Sequence, residues 1–203
     1  MYFATMNSFG YDQTCVGVTG IVGCMGIFVA TNDLLYAVHV KAQNANQEAL
    51  GAQKFGAFVK NCEGPGNTSS WKVFCMINGG NRLERLRDDL QPFVTCLGVK
   101  KVAAIRLYAN LQTIMPSKIH SSLASVAVVL RRGAIQGQFD IRYMQDSTVN
   151  WLQGEQAGGK FRHGWYGNPS SKEVVSVDPN FPGWHTVVTS GPNANATLEN
   201  LNF

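Results

Sequence analysis

The stretch Cys24-Met25-Gly26-Ile27-Phe28-Val29-Ala30-Thr31-Asn32-Asp33-Leu34-Leu35-Tyr36-Ala37-Val38-His39-Val40 decides how this 203-residue chain folds. Two apolar runs, rich in β-branched and aromatic residues, flank Thr31-Asn32-Asp33, whose side chains favour a turn. The stretch reads as an antiparallel hairpin, and its register decides what the polar residues at its ends can do. With Thr31-Asn32 as the two-residue loop, Cys24 lies directly opposite His39, with Cβ atoms about 4.5–5.5 Å apart, and Gly26 faces Ala37, leaving room beside the pair. With Asn32-Asp33 as the loop, Cys24 and His39 are diagonal neighbours on one face. A three-residue loop puts them on opposite faces, because the side-chain period of a strand is two.

A cysteine beside a histidine is a chemical pattern. An unperturbed thiol, with a pKa of about 8.5, is only a few per cent thiolate at neutral pH. An adjacent imidazole takes its proton, holds the thiolate as an ion pair and later protonates a leaving group. The bland alternative is a small buried hydrophobe beside a satisfied core histidine. His185, at the start of His185-Thr186-Val187-Val188, is the rival base.

Outward from the hairpin, Gln43 to Phe55 reads as a helix, with Asn44 and Gln47 in capping-box positions. Glu63 to Ser70 reads as a loop, and Trp71 to Ile77 as a strand. A second capping box at Asn81 and Glu84 precedes Leu83, Leu86 and Leu90 at helical spacing, with Pro92 ending or kinking that helix. Lys101 to Tyr108 is a strand, and Ser125 to Arg132 with Gln138 to Gln145 forms a second hairpin across Gly133. Many strands with two helices predict an α+β fold: a mixed or antiparallel sheet core, layered or sandwich-like, with helices packed outside. Nothing in the composition marks a boundary, so residues 1–203 are expected to form a single domain.

Composition narrows the functional classes. A hydrophobic content of 45% and a charged content of 15% suit a chain with its own core. A net charge of +4 and a pI near 8.8 fall short of a nucleic-acid binder, and Arg131-Arg132 reads as a strand cap. Cys15, Cys24, Cys62, Cys75 and Cys96 include no Cys-x-x-Cys pair, which predicts reduced thiols, and with His39, His120, His163 and His185 they show no zinc spacing. No metal or other cofactor is expected. The glycine-broken run from Val16 to Ala30 reads as strands rather than a membrane span, and the first residues lack a secretory pattern. Gly154 to Lys160 imitates a phosphate-binding loop, but Phe161 stands where Ser or Thr would hold magnesium. The sequons at Asn67 and Asn195 read as loop asparagines. The aromatic segments Phe161 to Gly167 and Phe181 to His185 read as core anchors, with a pocket rim or partner contact as the alternative.

The segment from Thr19 through Ile21-Val22-Gly23-Cys24 to Ala37-Val38-His39 resembles the Cys-His core of the glutamine deamidases related to the chemotaxis protein CheD. That superfamily includes the catalytic domains of the cytotoxic necrotizing factors and the Burkholderia lethal factor. Gly23 and Cys24 match its Leu-Ser-Gly-Cys signature, and the resemblance covers about a tenth of the chain. It implies Cys24 as nucleophile and His39 as general base. Thr19 is the candidate to orient the histidine, although its odd offset from Cys24 needs a bulge at Gly20 to correct the phase. Backbone N–H groups of Gly23, Cys24 and Met25 would stabilise the oxyanion. The expected activity is that of a bacterial toxin or effector-like deamidase. It would hydrolyse a glutamine side chain in a protein substrate to glutamate and ammonia, without a cofactor. Such a protein works in the cytoplasm, or leaves by a route independent of a signal peptide to act in a host cytosol. A chemotaxis-receptor deamidase and a non-enzymatic β-rich binding module are the alternatives.

Overall fold

Runs that are apolar at every position belong in strands covered on both faces, and Met25–Ala30 and Leu35–Val40 are buried throughout. A computed structural model of the chain describes residues 2–4, 6–21, 23–41, 45–66, 68–78, 85–107, 126–145, 152–153, 163–165, 175–176 and 184–203. In chain order the elements are β1 (Tyr2–Ala4), β2 (Ser8–Asp12), β3 (Cys15–Ile21), β4 (Met25–Ala30), β5 (Leu35–Val40), α1 (Ala45–Glu63), β6 (Lys72–Asn78), α2 (Leu86–Leu97) and β7 (Lys101–Leu107). There follow β8 (Val126–Arg132), β9 (Phe139–Gln145), β10 (Leu152–Gln153), β11 (His163–Trp165), β12 (Val175–Ser176), β13 (His185–Thr186) and β14 (Ala196–Asn202).

Two mixed sheets result, one ordered β1-β3-β8-β9-β13 and the other β11-β2-β5-β4-β6-β7-β14, with β10 and β12 paired as a small ribbon. The fold is α+β, with the two α-helices of the described residues outside a layered pair of sheets. Alternation along β4 divides its side chains: Met25, Ile27 and Val29 join Phe55, Val59, Leu90 and Phe93 in a core under the helices. Phe28 and Ala30 turn the other way, into a core between the sheets with Val16, Val18, Ile21, Val128 and Tyr143. Each large aliphatic or aromatic side chain so buried contributes about 1.5–3 kcal/mol.

Strands β4 and β6 are antiparallel, β4 and β5 likewise, and β6 and β7 parallel. The carboxyl ends of β5, β6 and β7 therefore lie at one end of the sheet, together with the start of β4. The three first connections, β1 to β2, β2 to β3 and β3 to β4, each cross from one sheet to the other. At the second crossing, Asp12 Oδ1 accepts from the N–H groups of Thr14 (2.8 Å) and Cys15 (3.1 Å).

The second hairpin forms as the sequence predicts, with Arg132 opposite Phe139. Arg131 does not cap its strand but pairs with Asp140, directly opposite it, at 2.6 Å. Arg132 reaches two corners, donating to Gln13 O (3.0 Å) and Thr31 O (3.0 Å). The first helix runs beyond Phe55 to Glu63, because Val59 continues its buried stripe. The second does not stop at Pro92: it passes through to Leu97, since Phe93, Val94 and Leu97 beyond the proline are buried. The proline costs about 3 kcal/mol in a helix interior, less than burial of those side chains returns. Asn44, Asn81, Leu83, Glu84, Asn67, Tyr108, His120 and the Gly154 to Phe161 segment lie outside the described residues.

Candidate functional site

Val16 and Val18 face the core between the sheets, and the next residue of β3 to do so is Ile21. That odd step is a bulge: the β3–β8 register shifts between Val18 and Ile21, and Gly20 takes a left-handed φ of 75°. The register irregularity thus falls at Gly20. Thr19 itself is half-buried and makes no side-chain hydrogen bond to a described residue. After Ile21 the chain leaves this sheet, exposes Gly23, and enters the other at Met25. Cys24 sits at that corner, half-buried.

The hairpin takes the diagonal register. Met25 pairs with Val40, Gly26 with His39 and Ala30 with Leu35, so Asn32-Asp33 forms the turn. Thr31 dictates this: its N–H donates to Leu34 O (3.0 Å), and its Oγ1 accepts from Leu34 N–H (3.1 Å). Tyr36 Oη and Thr31 Oγ1 also donate to Glu63 Oε1, at 2.6 and 2.9 Å, which pins the turn to the end of α1. Gly26 thus faces His39, and Ala37 faces Phe28. The room expected beside the pair is filled: a Cβ on Gly26 would stand 3.2 Å from Ile21 Cδ1, Phe28 Cε2 and Val18 Cβ.

His39 is 1% exposed. Its ring lies beneath the bulge, with Cε1 3.4 Å from where a Cβ on Gly20 would stand. Cys24 and His39 are neighbours by register, but no hydrogen bond joins the thiol to the imidazole among the described residues. Of the three amides expected to face an oxyanion, those of Gly23 and Cys24 lie outside the ladders. Met25 is fully buried and registered on both sides, against Val40 and Ile77, so its backbone belongs to the sheet.

The rival histidine is elsewhere. His185 is exposed on β13, an edge strand separated from β3 by β8 and β9, with its ring 5.4 Å from that of Tyr143. His163 lies in β11, whose backbone pairs with β2. Asn195 serves its own loop, donating to Thr186 O (2.7 Å) and accepting from Val188 N–H (2.9 Å). All five cysteines are free thiols, and no group of three metal-binding side chains occurs among the described residues. None of the described helices is long and apolar enough to cross a membrane.

One site residue escapes the sequence pattern. Asn78, at the end of β6, is 8% exposed and donates from Nδ2 to Ile21 O at 3.1 Å, across the gap between the sheets. Its only signal in the sequence is an amide at the end of an otherwise apolar run.

No family model matches the chain, and no curated protein matches it.

Proposed function

We propose that this chain is a cysteine-dependent protein-glutamine deamidase of the toxin or effector type, with Cys24 as nucleophile and His39 as base. The observation that supports the reading is the corner itself: a half-exposed thiol on a strand end, with an imidazole one diagonal step away on the adjacent strand. The reaction balances within those two groups. His39 takes the Cys24 proton, and the thiolate adds to the carbon of the glutamine carboxamide. The N–H groups of Gly23 and Cys24 stabilise the oxyanion. The C–N bond then breaks, the proton passing from His39 to the leaving ammonia. Water adds to the thioester, giving its proton to His39, and cleavage of the C–S bond releases glutamate and the thiol.

Because thiol and imidazole are not bonded at rest, the reaction requires the Gly23-Cys24 corner to move toward His39. Gly23 suits this, with no atom within 4 Å of a Cβ built on it. The substrate would be a protein, reached in a cytosol, its own or a host's. Each event adds one negative charge to the target, enough to disrupt an interface.

A second reading, a β-rich binding module, is favoured by the near-complete burial of His39. The pH profile of Cys24 alkylation, read by peptide mass spectrometry in the native protein and in His39→Ala, separates the two. The deamidase reading expects Cys24 alkylation to slow in His39→Ala. A profile unaffected by His39→Ala sinks it. Incubation with candidate proteins, scored for amide-to-acid conversion lost in Cys24→Ser, then identifies the target.

A further inference from the structure

Resting on that reading, we infer that Asn78 is a positioning residue of the Cys24 site. The β4–β6 register ends with Met25 opposite Ile77. Cys24 and Asn78 each stand one residue beyond that last pair, where β4 gives way to the corner. Asn78 shares the strand face of Met76, which packs between the sheets. From there its Nδ2 reaches the other sheet and donates to the carbonyl of Ile21, the last residue of β3. The segment carrying Gly23 and Cys24 is thus tied at its start by a side chain that also flanks its end.

Phe74 and Met76 precede Asn78 on the same face, and an apolar residue would continue the pattern. A buried carboxamide is tolerated there only with its polar atoms paired, and its Nδ2 is paired with the carbonyl of Ile21, where the corner begins. With Asn78 in place, Ile21 is held to the end of β6. Without it, the end of β3 is released and the thiol loses its approach to His39.

Alkylation of the native protein with iodoacetamide across pH tests this, because Cys62 and Cys96 are half-buried thiols on α1 and α2 that serve as internal controls. Asn78→Asp keeps the shape but removes the donor and brings a negative charge beside the thiol. Asn78→Ser is small enough for any packing. Both variants are expected to lower the Cys24 alkylation rate at neutral pH by about tenfold, while Cys62 and Cys96 keep their rates. An unchanged Cys24 profile in both variants overturns the assignment, as does a parallel change in all three cysteines. The outcome is separable from the fate of the deamidase reading. If Cys24 ignores His39→Ala but responds to the Asn78 variants, the deamidase reading falls and Asn78 stands as the tie of the corner. If Cys24 responds to His39→Ala alone, only the assignment of Asn78 falls.

Discussion

Replacing Gly20 by alanine isolates the bulge that covers His39. At a φ of 75°, an L-residue sets its Cβ against the following carbonyl, costing about 1–2 kcal/mol. The new methyl adds no clash of its own, since its nearest neighbour, His39 Cε1, stands at 3.4 Å, an ordinary contact. Restricting the unfolded chain returns about 0.4–1 kcal/mol. The balance is a loss of about 1 kcal/mol, which in a chain of this size lowers the melting temperature by about 2–4 °C. Asparagine tolerates the left-handed region, so Gly20→Asn is expected to melt close to the wild type. The assay is thermal unfolding followed by circular dichroism, with urea midpoints as a check on the free energy. Equal melting of Gly20→Ala and wild type, or equal loss in Gly20→Ala and Gly20→Asn, would show that the positive φ at Gly20 carries no cost.

Two further predictions address packing and pH. Gly26→Ala must fit a Cβ 3.2 Å from Ile21, Phe28 and Val18; overpacking of this kind costs about 1–3 kcal/mol, so a loss is expected, larger in Gly26→Val, and a stabilised Gly26→Val would mean the space is open. Burial pushes the Cys15 thiol up to about 12, so between about pH 8.5 and that value the unfolded chain releases a proton that the folded one keeps. Stability from this group is complete at lower pH and falls as pH rises, by up to about 1.4 kcal/mol per pH unit. Urea midpoints at increasing alkaline pH should decline less steeply in Cys15→Ala, and identical slopes would contradict the assignment.

Much of the fold was legible in the sequence because each central strand announces itself by composition. Met25–Ala30, Leu35–Val40 and Val126–Arg132 are β-branched and aromatic enough to need no periodicity. The hairpin register was not legible for the same reason: with both faces buried, alternation cannot choose between loops, and the choice falls to the hydrogen bonds of Thr31. The edge strand β14, Ala196–Asn202, is largely exposed and lacks the apolar run of the central strands; its partner β7 makes it a strand. At the site, the nearness of Cys24 and His39 followed from local chain geometry. Asn78 did not, because its bond to Ile21 spans the two sheets and leaves no periodic trace.

The early crossings between sheets have a consequence for how the molecule opens. With β1 and β3 in one sheet and β2 and β4 in the other, the first thirty residues act as a stitch, and neither sheet can separate without pulling strands from its companion. Protection against hydrogen exchange should then be shared: amides in both sheets report one cooperative unfolding free energy rather than two. The exceptions are the residues between the ladders, Gly23 and Cys24 among them, whose amides are expected to exchange without that cooperative opening.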